Sequence, residues 1–268
     1  MARGNGKLVI IGGAEDKDGP CEILQTFITL AGGTDARLVV LTVAAGDPED
    51  VGSMYRELFY QLGAGRVTVL HLPDRQTANQ KSAAVQLGEA TGIFFTGGDQ
   101  LRITSILGGT KIDQVLHRRY DEGAVIAGTS AGAAAMSAIM IVEGASDDAP
   151  KKCTTKLSPG MGFWEKVVID QHFAQRGRTG RLLAAIAQNP HILGVGIDED
   201  TAVVQNGKDR FEVIGTQTVT VLDGRGIQHT NTSISEPDEP LALTYVNMHI
   251  LPAGYGFDLD KRQPLLPV

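Results

Sequence analysis

The chain has 268 residues, 42% of them hydrophobic and 21% charged, enough to bury a full core in one α/β domain. A net charge of −7 counts against a nucleic-acid backbone as partner. Two cysteines, Cys21 and Cys153, are too few for a disulfide framework, and no Cys-x-x-Cys or Cys/His cluster suggests a metal, so a reducing compartment is expected.

The N-terminal Met1-Ala-Arg-Gly-Asn-Gly6 runs straight into an apolar strand, with no secretory h-region or cleavage site. No apolar stretch reaches the roughly 18 residues of a membrane span, so a cytoplasmic protein without membrane partners is expected. Short apolar runs at 7–11, 37–43, 66–72, 92–96 and 124–127 alternate with helical periodicity near 22–31, 50–63, 79–90 and 111–121. Runs such as 38–43 are apolar without alternation, as strands covered on both faces are. This βαβ rhythm predicts an α/β fold, a three-layer sandwich around a doubly wound, mostly parallel sheet.

The second half predicts a strand at 166–170, a helix near 178–188 and a strand at 193–197. Alternating runs at 201–205, 211–214 and 216–222 read as antiparallel edge hairpins, with Asn206-Gly207 and Asp223-Gly224 as turn signals. A polar loop at 230–240 precedes a last strand at 241–251. No repeat or linker interrupts the chain, so a single hydrolytic domain over 1–268 is expected.

The fifth apolar run breaks into Gly128-Thr129-Ser130-Ala131-Gly132 and then Ala133-Ala-Ala-Met136. Gly-x-Ser-x-Gly by itself is unspecific, and an incidental serine in a glycine-rich turn would write the same letters. The apolar strand before it and the small-residue helix after it are the context that a nucleophile elbow requires. Flanking glycines relieve the crowding of a tight strand-to-helix turn, which lifts Ser130 Oγ clear of the sheet. There the Ala131 N–H at the helix start faces any oxyanion that forms. A second donor is expected from Thr96-Gly97-Gly98-Asp99-Gln100, through the Gly98 or Asp99 N–H, with Gln100 as a side-chain contact to substrate. Gly12-Gly13-Ala14-Glu15 lacks the Gly-x-Gly-x-x-Gly spacing of a dinucleotide site.

A serine hydroxyl needs an imidazole to take its proton and a carboxylate to orient that imidazole. His172 follows the strand at 166–170 and is expected on the same sheet rim as Ser130. His117 lies in a charged helix and is expected to face solvent; His71 and His191 have no carboxylate in an equivalent position. The strand at 193–197 delivers Asp198, Glu199 and Asp200, any of which could orient His172 or simply form a solvated turn. Arg176, Arg178 and Arg181 follow His172 closely and suit bidentate capture of substrate carboxylates. Two other classes stay open: an α/β-hydrolase esterase with His229 or His249 as base, and a non-catalytic binding module.

The blocks Val9-Ile-Ile-Gly-Gly-Ala-Glu-Asp16, Phe95-Thr-Gly-Gly-Asp-Gln100, Ala127-Gly-Thr-Ser-Ala-Gly-Ala133, Asp170-Gln-His-Phe173 and Gly196-Ile-Asp-Glu-Asp200 stand in order over essentially the whole chain. With the Arg-x-Arg-x-x-Arg run from Arg176, the chain resembles the cyanophycinase family, serine peptidases of the class I glutamine amidotransferase-like group. The resemblance implies an exopeptidase that hydrolyses cyanophycin, poly-aspartate with arginine on each β-carboxyl, to β-Asp-Arg dipeptides through an acyl-enzyme. It places the nucleophile on Ser130, the general base on His172 and the third member on Glu199. It places substrate contacts on Gln100, Asp170, Gln171, Arg176, Arg178 and Arg181. It also implies a homodimer that needs no metal or cofactor. Aspartyl dipeptidases, which act on short Asp-x peptides, are the alternative, with less likeness around Asp170-Gln-His-Phe173.

Overall fold

The computed structural model describes residues 6–144, 146, 148–206 and 209–267. The first half supplies strands β1 Lys7–Ile11, β2 Arg37–Leu41, β3 Arg66–Leu70, β4 Gly92–Phe95 and β5 Val125–Thr129. Between them lie helices α1 Glu22–Leu30, α2 Pro48–Gln61, α3 Arg75–Ala78, α4 Lys81–Gly88, α5 Gln100–Leu107 and α6 Lys111–Asp121. The elbow opens the short helix α7 Ala131–Ala134, followed by β6 Ile139–Gly144, β7 Thr155–Pro159, β8 Val167–Gln171 and helix α8 Thr179–Gln188. The remaining strands are β9 Leu193–Ile197, β10 Thr201–Gln205, β11 Arg210–Gly215, β12 Thr218–Asp223, β13 Asn247–Pro252, β14 Gly256–Asp258 and β15 Gln263–Leu265.

A nine-stranded sheet has the order β15-β14-β11-β10-β1-β5-β4-β2-β3. From β1 to β3 every pairing is parallel, while β10, β11, β14 and β15 extend the sheet antiparallel beyond β1. Alternate residues of the central strands enter two different cores. Leu8, Ile10, Val39, Leu41, Ile93 and Phe95 pack with residues of α4, α5 and α6. Val9, Ile11, Leu38, Val40 and Phe94 pack with α1 and α2 on the opposite face. Helices therefore cover both faces, which is why these strands carry unbroken apolar runs. On the α1/α2 face, Phe59 meets Phe94 edge-on at 5.2 Å and Phe27 at 5.7 Å.

The chain departs from the expected single sheet in its second half. Strands β8, β9, β12 and β13 form a second, four-stranded sheet, with β8 and β9 parallel, and β6 pairs with β7 alone. The parallel core sheet and the antiparallel β10–β11 flank follow the expectation, but His172 stands at the rim of a different sheet from Ser130. Residues 198–200 are the point where the chain crosses from β9 in the second sheet to β10 in the first. Gly12 permits that crossing, since a Cβ there would lie 2.0 Å from the Asp198 carbonyl oxygen.

The Asn206-Gly207 turn signal falls between the paired strands β10 and β11, although Gly207 itself lies outside the described residues. Asp223-Gly224 does not make a hairpin. The Asp223 carboxylate accepts from the Arg225 N–H and caps a 3-10 turn, and β13 reaches β12 only after a long loop.

Candidate active site

Strand β5 is buried along its whole length and leads into Ser130, which takes φ 52° and ψ −112°. A side chain held there is strained and persists only because its surroundings dictate it. The Ser130 N–H donates to the Ile11 carbonyl at 3.0 Å, tying the turn to the end of β1. Both flanking glycines are required by contact. A Cβ on Gly128 would meet the Gly132 carbonyl oxygen at 2.5 Å, and one on Gly132 would meet that of Phe95 at 2.4 Å. The Gly-x-Ser-x-Gly run is thus a nucleophile elbow in shape, with Ser130 half-buried.

Ser130 Oγ lies 3.0 Å from His172 Nε2, and His172 Nδ1 lies 2.6 Å from Glu199 Oε1. A carboxylate can only accept, so Glu199 holds the proton on Nδ1 and leaves Nε2 to accept from the serine. Burial pushes the His172 pKa below its ordinary 6.5; the Glu199 hydrogen bond opposes this, and the charges of Arg176 and Arg178 reinforce it. The imidazole is accordingly neutral at neutral pH, the form a general base needs. Its backbone is fixed at φ 47°, with the His172 N–H donating to the Gly12 carbonyl at 2.7 Å.

The turn at 198–200 separates three acids by direction. Asp198 accepts from the Ala174 N–H at 2.9 Å and from Thr218 Oγ1 at 2.7 Å. Asp200 accepts from the Asp16 N–H at 2.8 Å and from Thr216 Oγ1 at 2.9 Å. Of the three, Glu199 faces the imidazole, and its own N–H donates to Gln175 Oε1 at 3.0 Å. Gln175 is a site residue that the sequence did not single out, and Gly13, noted there only within Gly12-Gly13-Ala14-Glu15 and the 9–16 block, lies against the His172 ring.

The N–H groups of Gly98 and Ala131 make no hydrogen bond among the described residues, so both are available to a developing oxyanion. Asp99 is a correction. Its N–H donates to the Ala44 carbonyl at 3.0 Å, while its carboxylate caps α5 by accepting from the Leu101 N–H at 2.8 Å. The cause is the backbone of Gly98 at φ 136°, packed so closely that a Cβ would lie 1.9 Å from the Ala44 oxygen.

The expected substrate contacts divide by exposure. Arg176 is exposed and has no ion pair among the described residues. Gln100 Nε2 donates to the carbonyls of Ile141 and Val142 at 3.0 and 2.9 Å, which fastens α5 to β6, while its amide oxygen has no partner among the described residues. Asp170, only 1% exposed, is clasped by Arg181, whose Nε donates to Oδ2 at 2.7 Å and whose Nη2 donates to Oδ1. Arg178 Nη1 donates to Gln171 Oε1 at 2.8 Å and to the Gln171 carbonyl at 2.5 Å, and burial pulls the Arg178 pKa down to about 10. Asp170, Arg178 and Arg181 therefore form a buried ion cluster with one another, and an approaching substrate meets a committed Asp170 rather than a free carboxylate.

The other histidines lie elsewhere. His117 is half-buried, stacks on Phe163 at 4.5 Å and pairs with Asp113 at 3.4 Å, so it does not simply face solvent. His249 packs on Phe257 at 5.4 Å and His229 is exposed, and the serine's imidazole partner is His172. The esterase arrangement with either as base has no geometric support. Among the described residues no group of three or more His, Cys, Asp or Glu could hold a metal ion. No described helix is long and apolar enough to cross a membrane.

Residues 8–213 match the sequence model of peptidase family S51. A cyanophycinase from Geminocystis herdmanii is 39% identical over 259 residues, covering 96% of this chain and 95% of its own. Cyanophycinases from Synechococcus elongatus and Trichormus variabilis are 38% and 37% identical, covering 96% of this chain and 80% and 87% of theirs. Among solved structures, a peptidase from an acI-B1 Actinobacterium superimposes with a TM-score of 0.71 at 22% identity, covering 96% of this chain and 98% of its own. At that identity the likeness is one of fold.

Proposed function

Because the chain belongs to peptidase family S51 and is thereby a hydrolase, we propose that it is a serine exopeptidase that degrades cyanophycin to β-Asp-Arg dipeptides. The observation that carries this reading is the continuous relay from Ser130 through His172 to Glu199, at 3.0 and 2.6 Å, mounted on a strained elbow. The relatives are named cyanophycinases, and that name supplies the polymer as substrate.

In the proposed reaction Ser130 Oγ attacks a peptide carbonyl while His172 Nε2 takes its proton, and Glu199 stabilises the imidazolium that forms. The negative charge on the carbonyl oxygen is received by the Gly98 and Ala131 N–H groups. His172 then gives the proton to the leaving amine, and a water activated by the same ring hydrolyses the ester. Arg176, exposed beside this ring, takes an aspartyl carboxylate of the substrate, and the amide oxygen of Gln100 takes a substrate donor. Gln171, Arg178, Arg181 and Asp170 form the rigid wall behind them.

We read the chain as one hydrolytic unit, since the site draws Ser130 from one sheet and His172 from the other and the larger core spans both. A cytoplasmic homodimer is part of the same proposal; its support is the family resemblance and two unpaired cysteines.

Incubating the protein and its Ser130→Ala variant with insoluble cyanophycin, and following β-Asp-Arg by mass spectrometry, tests the proposal. Dipeptide is expected from the unaltered protein, with a loss of about 10⁴-fold or more in the variant. Cleavage of Asp-x dipeptides with none of the polymer would move the substrate to short aspartyl peptides.

A further inference from the structure

Glu15 is buried at 3% exposure and hydrogen-bonded to the elbow residue Thr129, and the relay does not use it. Its Oε2 accepts from Thr129 Oγ1 at 2.5 Å, its Oε1 accepts from the Tyr55 hydroxyl, and Lys17 Nζ lies 3.0 Å from that same Oε1. Thr129 is the residue immediately before Ser130. We propose that Glu15 is a positioning residue for the nucleophile, acting through Thr129 to hold Ser130 in the conformation that aims Oγ at His172. This role rests on Ser130 being the nucleophile.

A buried polar side chain is tolerated when its oxygens find donors, and two hydroxyls and an ammonium supply them to Glu15. Tyr55 remains a donor throughout, since burial first, and the Glu15 charge second, push its pKa well above the ordinary 10. The three donors come from separate elements: α2, the end of β5 and the loop after β1.

That loop is also the common anchor of the other two members. The Gly12 carbonyl accepts from the His172 N–H at 2.7 Å, and the Gly13 carbonyl accepts from the Asp200 N–H at 2.9 Å, next to Glu199. Four consecutive residues, Gly12 to Glu15, thus fix the base, the acid turn and the serine turn relative to one another. A backbone as strained as Ser130 at φ 52° relaxes unless it is held. The Ser130 N–H bond to Ile11 holds one side of the turn, and the Thr129 bond to Glu15 holds the residue before it.

Thr129→Val removes the hydroxyl and keeps the shape, whereas Thr129→Ser keeps the hydroxyl. Both are compared with Glu15→Gln and Ser130→Ala in kcat and KM for dipeptide release, in melting temperature, and in the rate of Ser130 labelling by a fluorophosphonate. Thr129→Val and Glu15→Gln are expected to lose between about tenfold and a hundredfold in kcat and in labelling rate, with KM within about twofold, as misplaced reacting groups do. Thr129→Ser is expected to restore both rates.

Unchanged kcat and labelling in Thr129→Val, with Ser130→Ala inactive, would overturn the role of Glu15 and leave the serine mechanism standing. Equal losses in Thr129→Val and Thr129→Ser would overturn it too, because shape and not the hydroxyl would then be what matters. A fully active Ser130→Ala would instead remove the nucleophile assignment itself. Should Glu15→Gln fail to fold, Thr129→Val and Tyr55→Phe, which strips one donor from Glu15, carry the comparison.

Discussion

The imidazole of His172 rests on Gly13 so closely that a Cβ at Gly13 would lie 2.3 Å from Cε1. Gly13 also stands at φ 103°, where an L side chain is strained. Gly13→Ala is therefore expected to push the ring off Ser130, lowering kcat by about 100-fold. Steady-state kinetics beside a thermal melt checks this. A melting temperature that falls while kcat per folded molecule stays constant would mean that the ring has another resting place.

Glu199 and Asp198 are neighbours with different work, and substitution separates them. Glu199→Gln keeps the volume but allows the amide to donate toward Nδ1, which favours the wrong tautomer and is expected to lower kcat by about 10³- to 10⁴-fold. Asp198→Asn disturbs bonds to Ala174 and Thr218 instead, and its main effect is expected on stability. Comparing kcat and melting temperature for the two variants tests the division. Reversed effects would reassign the acid.

Much of this site is written locally. The apolar runs of β1 to β5 announce strands covered on both faces, and the elbow is a five-residue motif whose two glycines each meet a backbone oxygen that a Cβ would strike. What was not legible depends on partners distant in sequence. Nothing in 166–197 says that β8 and β9 leave the main sheet, because that choice is made by pairing with β12 and β13. The acid facing His172 is decided by which way each side chain leaves the turn at 198–200, and the Asp99 N–H is withdrawn by Ala44, more than fifty residues earlier. Helix α5 was readable in principle, since Asp99 is a capping residue ahead of Leu101, Ile103 and Leu107. Strands β6 and β7 gave less signal, being short, half-exposed and irregularly paired.

The pH profile follows from the neutral state of His172. Protonating the ring removes the base, so activity falls on the acid side, and because the pKa lies below 6.5 the limb is expected below that pH. Arg176 contributes to the lowering by its positive charge, so Arg176→Ala should raise the pKa and carry the acid limb upward. The plot of log kcat/KM against pH reports the free-enzyme value. An acid limb that stayed in place in Arg176→Ala would show that this charge is screened from the ring.

Exposure predicts which arginines meet substrate and which support the wall. Asp170→Asn would leave Arg181 and Arg178 with their charges buried and their partner gone, a loss of about 3–5 kcal/mol in stability. Arg176 is exposed without an ion pair among the described residues, so Arg176→Ala should leave the melting temperature within about 2 °C while raising KM, as loss of a surface contact to substrate does. Denaturant unfolding and Michaelis kinetics on the two variants separate these effects. If Asp170→Asn instead raised KM at full stability, Asp170 would be a substrate contact after all, and the ion cluster would have to open when the polymer binds.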